Sequence, residues 1–418
     1  MLENLKSISI RPPHFPPPVT AACAKLRDAG YKAWLAGGCV RDILLNRPPR
    51  DWDVVTNAPL ETIRALFPKH LEVGVAFGIV KLVDPSARID VAIFRRESGY
   101  SDLRRPDRVE PGDERSDVAR RDFTVNALYL DPFESTVFDL VGGHKDLQRK
   151  TLRTVGVAET RFSEDALRVL RAARFSAQLG FRITAPTLKA MKNCGPLLKA
   201  ISRERVRDET FRIFESRRPI TGLEALMKTG LWEQVFGVRK AAIPADYRTL
   251  KFGEAPSALG WLCALGVTGL LGDPTREPDE ITARLTGLLK LSNDEKRVFA
   301  RVIRVFADSA AVAPNALTSG SLAASAPDPL DWIELARKER PVLDLARRFI
   351  RRARGVDIEQ KDAANRLIEQ SQRWASRDHA AKTLVPAREL LREGFTAGPR
   401  LGRELKLRQW RQFWELTI

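Results

Sequence analysis

The chain has 418 residues, 44% of them hydrophobic and 29% charged, with 70 Lys and Arg against 53 Asp and Glu for a net charge of +17. Such a composition excludes wholesale disorder and is long enough for two to four domains, each with its own core. Four cysteines, Cys23, Cys39, Cys194 and Cys263, lie far apart with no CxxC pair, which excludes a disulfide framework or zinc knuckle and fits a reducing, cytoplasmic setting.

The charge is uneven. Residues 1–150 carry 23 basic and 21 acidic side chains, net +2, and the rest of the chain carries +15. A cationic excess of this size points to a polyanionic partner, nucleic acid first. Up to about residue 150, short β-rich runs at 32–36, 53–56, 79–83 and 89–94 alternate with short helical segments, which predicts a unit containing both α and β structure.

After the first of these strands comes Ala36-Gly-Gly-Cys-Val-Arg-Asp42. Gly37 and Gly38 let the backbone turn sharply and approach a ligand. A helix opening at Cys39 or Val40 offers free N–H groups to an anion, and Arg41 in its first turn adds a cation. Asp51 and Asp53 are two apart, so on a strand both project from one face. Such a pair repels itself unless a divalent cation intervenes, and oxygen-only ligation suits Mg2+ with a nucleotide triphosphate. In Arg88-Ile-Asp-Val-Ala-Ile-Phe94 the apolar Ile89, Val91 and Ile93 share a face and leave Asp90 on the other. Three carboxylates on neighbouring strands suit an in-line, two-metal phosphoryl transfer.

Residues 95–115, crowded with charge, Gly and Pro, are predicted to form a mobile loop. Beyond residue 150, long stretches such as 163–179 and 204–214 have helical spacing with Arg and Lys on their polar faces, which predicts an all-helical remainder. In Glu164-Asp-Ala-Leu-Arg-Val-Leu-Arg-Ala-Ala-Arg-Phe175, Ser163 and Asp165 are placed to cap a single helix. Asp165 and Arg168 are i,i+3 neighbours on it, an acceptor and a donor side by side, which complement the hydrogen-bonding edge of a base. Arg171 turns a further ~60° toward sugar or phosphate, and Arg174 lies nearly opposite Asp165. The run at 258–272 is shorter than the ~20 residues of a membrane span and predicts a buried helix and no membrane association. Residues 307–329, rich in Ala, Ser and Pro, read as a linker.

Taken in order, these motifs resemble the class II tRNA nucleotidyltransferases (CCA-adding enzymes) and bacterial poly(A) polymerases. The resemblance runs from about residue 31 to about residue 214. GGxVRD is matched at 37–42, DxD at 51–53 and RRDFTxNAL at 120–128. A DxxGGxxDL-like turn stands at Asp139, Gly142, Gly143, Asp146 and Leu147; EDxLRxLRAxRF follows at 164–175 and ERxxxE at 204–209. The resemblance implies an α+β nucleotidyltransferase head with a mixed β-sheet at 1–150. An all-α neck at 151–220, body at 221–310 and tail at 330–418 would follow.

By the same resemblance, Asp51 and Asp53 hold Mg2+, and Asp90 completes the catalytic carboxylates. Gly38, Arg41 and Arg121 contact the triphosphate or sugar, and Asp122 holds the arginines. Asp165 and Arg168 read the incoming base in place of a template, and Arg171 and Arg174 complete the nucleotide-binding set. Phe123, Ala127 and Leu128 are core, and Glu204, Arg205 and Glu209 are an ion-pair group positioning helices. At 73–80 the sequence is neutral where poly(A) polymerases carry a basic cluster, and 97–106 resembles the flexible loop of full CCA enzymes. Both features favour addition of CCA to tRNA from CTP and ATP, and 393–402 resembles the tail of such enzymes. The alternatives are a poly(A) polymerase, an enzyme adding only CC or only A, and a non-catalytic RNA-binding protein.

Overall fold

Apolar, β-branched runs make the strands of one large sheet in the computed structural model. It describes residues 6–72, 78–239, 257–268, 270–272, 277–311 and 387–393, with single positions up to 408. The chain divides into two compact units, Met1–Ser202 and Arg203–Ile418, a boundary that falls within the segment read as the neck.

The first unit contains β1 (Lys6–Ser9), β2 (Trp34–Ala36), β3 (Trp52–Thr56), β4 (His70–Leu71), β5 (Ile79–Leu82) and β6 (Ile89–Ile93). A separate hairpin of β7 (Arg95–Ser98) and β8 (Arg108–Pro111) follows, then β9 (Leu128–Asp131) and β10 (Thr136–Asp139). The eight-stranded sheet has the order β1-β10-β9-β2-β3-β6-β5-β4. Only its β3–β6 pair is parallel, so the sheet is mixed, as expected. The four predicted β runs all lie in it, as the four neighbouring strands β2, β3, β6 and β5. Leu35, Val54, Val91 and Leu130 are fully buried. Over one part of the core Trp34, Phe94 and Tyr129 pack together, with Phe94 edge-on to both partners at 5.9 and 5.8 Å.

Helices α1 (Pro17–Asp28), α2 (Gly38–Leu44), α3 (Leu60–Leu66), α4 (Glu114–Ala119) and α5 (Gly143–Gln148) complete the head. The turn into α5 explains the DxxGGxxDL spacing as structure. Asp139 accepts the N–H groups of Val141, Gly142, Gly143 and His144, and Gly142 has φ +78°. A Cβ on Gly143 would stand 2.1 Å from the Thr124 carbonyl oxygen, so no larger residue fits. Asp146 then fastens Thr124 and Arg153 at 2.6 and 2.9 Å.

Residues 95–115 are not the mobile loop that their charge predicts. Arg95–Ser98 pairs with Arg108–Pro111 in register, and Asp113 caps α4 through a reciprocal bond with Ser116. The charges neutralise one another: Glu97 is bonded to Arg95 at 2.7 Å, lies 3.4 Å from Arg120, and accepts from the Tyr100 hydroxyl at 2.7 Å. Charge that looks solvated in the sequence is paired in the fold, and a paired segment can be ordered.

Beyond residue 150 the described chain is helical except for a two-residue parallel pair, β11 (Thr151–Leu152) with β12 (Arg182–Ile183). Three helices, α6 (Ala158–Glu164), α7 (Arg168–Leu179) and α8 (Ala185–Cys194), end the first unit. In the second unit, α9 (Arg203–Phe214) precedes α10 (Pro219–Thr229), α11 (Leu231–Phe236), α12 (Ala258–Val267), α13 (Pro278–Leu289) and α14 (Asn293–Ala311). Helix α12 is the predicted buried helix: Trp261, Leu262, Cys263, Ala264 and Leu265 are fully buried, with Trp261 stacked 3° from parallel on Phe214. Within the ERxxxE segment, Glu209 is buried with the Arg212 guanidinium 3.7 Å away. Among the described residues no helix is long and apolar enough to cross a membrane. Residues 307–311 of the predicted linker are the end of α14 and not a link, while 73–77, the rest of that linker and most of the predicted tail lie outside the described residues.

Candidate active site

Strand register brings the acids together. Parallel pairing of β3 with β6 sets Asp53 directly beside Asp90, and antiparallel pairing of β5 with β6 sets Lys81 beside Asp90 in turn. Lys81 Nζ donates to both Asp90 carboxylate oxygens, at 2.9 and 3.1 Å. Burial pushes the Asp53 carboxyl above its ordinary range; Arg121 pulls it back down, and Asp90 and Asp51 push it further up. Asp51 is not on the strand, as the spacing predicted, but one residue before it. Trp52 is the first strand residue and is buried, which leaves Asp51 two-thirds exposed with Arg88 at 3.8 Å. Among the described residues no three carboxylates stand close enough to share one ion. Asp53 and Asp90 form the close pair.

The glycine turn closes over Asp53. Helix α2 opens at Gly38, one residue earlier than predicted, after Gly37 at φ +74°. A Cβ on Gly37 would lie 3.0 Å from Arg121 Nη1 and 3.5 Å from Asp53 Oδ2, so glycine is what lets this turn, an arginine and an acid converge. Arg41 is buried beneath the turn. Its guanidinium donates to both Asp42 oxygens and, at 2.7 Å, to Asn126 Oδ1, and it packs against Phe175. Cys39 beside it is no nucleophile, because burial and then Asp53 push its thiol up to about 12.

Behind the turn lies a set of buried ion pairs. Arg121 reaches Asp117 at 2.9 and 3.0 Å and the Asn126 carbonyl at 3.1 Å, with its guanidinium over the Tyr129 ring. Asp117, fully buried, also takes Arg120 and the Tyr129 hydroxyl. Asp122 accepts from Arg171 at 2.5 and 2.9 Å and from Asn126 at 3.2 Å, the arginine-holding role expected of it. Asp117, Asn126 and Lys81 had no role in the sequence reading. Asp117 could have been found from its i,i+3 and i,i+4 spacing to Arg120 and Arg121 in a helical run.

Burial opposes the charged form of Asp122, but Arg171 outweighs it, with Arg168 and Asn126 adding, and lowers the carboxyl to about 2. Relative to an unfolded value near ~3.9, the depressed group contributes about 2 kcal/mol above roughly pH 4, lost as pH falls toward about 2. Thermal unfolding in metal-free buffer is expected to show this loss over that window, and Asp122→Asn to flatten it. An unchanged pH dependence in the variant counts against the assignment.

The segment expected to read the base differs from its prediction. The sequence 164–175 is not one helix: α6 ends at Glu164, Asp165 is extended at φ −138°, and α7 opens at Arg168. Asp165 and Arg168 therefore flank a break, with Asp165 Oδ1 accepting the Leu167 N–H at 3.1 Å. The hairpin helps to fix the break, since Ala166 N–H donates to the Leu103 carbonyl at 3.2 Å. Arg168 is held by Glu164 at 2.7 Å and by the carbonyls of Arg161 and Arg120. Arg171 is on Asp122, and Arg174 lies 4.1 Å over Phe175. Phe123, Ala127 and Leu128 are fully buried, as core residues should be.

Residues 33–153 match the poly A polymerase head domain, and residues 180–242 match the probable RNA and SrmB-binding site of polymerase A. The CCA-adding enzyme of Limosilactobacillus reuteri is 40% identical over 225 residues, which cover 54% of this chain and 56% of that relative's length. The CCA-adding enzyme of Lactobacillus johnsonii is 36% identical over 293 residues, covering 70% of this chain and 72% of the relative. Among solved structures, the Bacillus stearothermophilus CCA-adding enzyme in complex with CTP superposes with a TM-score of 0.65 at 26% identity, over 96% of this chain and 94% of that one. The Thermotoga maritima CCA-adding enzyme complexed with tRNA shares the fold, with a TM-score of 0.64 at 18% identity over 96% and 92% of the two chains.

Proposed function

Because the chain belongs to the family of CCA-adding enzymes and poly(A) polymerases, we propose that it is a template-independent nucleotidyltransferase that adds C, C and A to the 3′ end of tRNA. CTP and ATP are the substrates, and pyrophosphate leaves at each step. The observation that carries this reading is Asp53 in register with Asp90 beneath the Gly37 turn, with Arg121 beside Gly37 and Asp53.

The donor set suits Mg2+: carboxylate oxygens only, with Asp53 raised first by burial and then, against the pull of Arg121, by Asp90 and Asp51, so that its charged form is disfavoured and a cation would offset that cost. Asp51 and Asp53 would hold the ion, which when bound polarises the α-phosphate and offsets the charge of the triphosphate. Asp90, steadied by Lys81, orients the attacking 3′ hydroxyl and takes its proton. The Gly38 backbone, Arg41 below it and Arg121 grip the triphosphate or sugar. Asp165 and Arg168 present acceptor and donor groups to the base, Arg171 and Arg174 support that face, and the basic helices after residue 150 hold the acceptor arm by phosphates and shape.

The test is extension of a tRNA that ends before CCA. Two residues added from CTP alone, and a third only when ATP is also present, are expected. Long A tails would replace this reading with poly(A) synthesis, and a stop after CC or growth by A alone would narrow it to a partial enzyme.

A further inference from the structure

On the head, a groove of about 860 Å3 is lined by Arg47, Arg50 and Arg88 over a floor that includes Pro49 and the edge of Trp52. Its position ties it to the acids. Arg50 and Trp52 flank Asp51 in sequence, and the Arg88 guanidinium is 3.8 Å from the Asp51 carboxylate. One end of the groove therefore lies beside Asp51.

Its charge is available. Among the described residues no hydrogen bond or ion pair engages the side chain of Arg47 or Arg50, and the Arg88 side chain is 87% exposed. The acid that also lines the groove, Asp84, is turned into its own loop, where Oδ1 accepts from the Ser86 N–H, the Ser86 hydroxyl and the Ala87 N–H. The arginines also sit on a stiff support. Helix α2 is closed by the Arg47 N–H donating to the Asp42 carbonyl at 2.8 Å, with Asn46 at φ +54°. Pro48 and Pro49 then fix the backbone between Arg47 and Arg50.

The floor decides what can lie there. Trp52 is 6% exposed and held edge-on by Phe15 at 6.1 Å, so neither face of its ring is open for a base to stack on. Of the two aromatic rings that line the groove, Trp52 is buried and only the His14 imidazole is exposed, so three arginines facing phosphates outweigh one ring that could meet a base.

We propose that this groove seats the backbone phosphates of the RNA strand being extended, upstream of its 3′ end, and so delivers the terminal hydroxyl to Asp51, Asp53 and Asp90 irrespective of sequence. The inference rests on the nucleotidyltransferase reading above and adds to it the path of the acceptor strand.

The experiment compares the full-length parent with Arg47→Ala/Arg50→Ala, neither residue belonging to the chemistry. It measures KM for tRNA lacking CCA, KM for CTP, and affinity for a fluorescent single-stranded RNA over a salt series. Losing two phosphate contacts is expected to raise the RNA KM on the order of tenfold and to lower the log–log salt slope by about 1.4, with kcat and the CTP KM unchanged within twofold. An unchanged RNA affinity and slope overturns the proposal, and is also the result if the groove serves an acidic protein. A loss that falls on CTP instead assigns the groove to free nucleotide and overturns it equally. If the parent binds RNA but extends nothing, the enzymatic reading fails while the salt series still judges the groove.

Discussion

Asp53→Asn is expected to abolish nucleotide addition while raising the melting temperature of the metal-free protein. The two effects have one cause. Burial and the neighbouring Asp90 and Asp51 raise the folded-state pKa of Asp53 above its unfolded value, against the pull of Arg121. Stability from such a group is fully present below the unfolded pKa, near ~3.9, and is lost as pH rises through the folded one, so at neutral pH the ionised carboxylate is a net cost. Asparagine keeps the shape and removes that cost. It also removes the charge proposed to hold the ion, and a loss of at least about a thousandfold in kcat, or ~4 kcal/mol of transition-state stabilisation, is expected. RNA affinity should stay within twofold of the parent, which separates catalysis from binding. Turnover within tenfold of the parent, or a lower melting temperature, would contradict the assignment.

Asp117→Ala is expected to act mainly through stability. The carboxylate is fully buried and bonded to Arg120, Arg121 and Tyr129. Burial alone would raise its pKa, but Arg121 and Arg120 outweigh that and hold it well below the ordinary carboxylate range. Truncation leaves Arg121 with the Asn126 carbonyl and the Tyr129 ring, while Arg120 keeps Glu97. Breaking one side of a buried pair costs about 3–5 kcal/mol, and for a unit of this size the melting transition should fall by on the order of 10 °C. Arg121 is then free to leave its place beside Gly37 and Asp53, so the KM for CTP should rise as well. Asp117→Asn, which keeps one acceptor, should fall between parent and alanine. Calorimetry showing the same transition in all three proteins would remove Asp117 from this role.

Much of the head was legible because its signals are local. Alternating β-branched residues mark the central strands, and the glycine pair followed by DxD marks the turn and the acids. What the sequence hid depends on pairing across long separations. Glu97 looks solvated until Arg120 and Tyr100 are seen to close on it, and that contact converts an expected loop into a hairpin. The break at Asp165 is invisible to periodicity, because the buried Phe162, Ala166, Val169 and Ala173 keep helical spacing across it. Asp51 and Asp53 fit an ideal strand face, yet the strand starts at buried Trp52 and excludes Asp51. Lys81 has no local mark at all; only the β5–β6 register gives it a partner.

The parallel pairing of β3 with β6 also governs when the acids meet. Antiparallel neighbours can zip from a tight turn, but a parallel pair forms only after the whole crossover between its strands has been laid down, which makes it a slow, non-local contact in folding. Asp53 and Asp90 are therefore strangers in a nascent or partly folded chain. The pair comes into being only when the sheet closes, so the site is born together with the fold that restrains it.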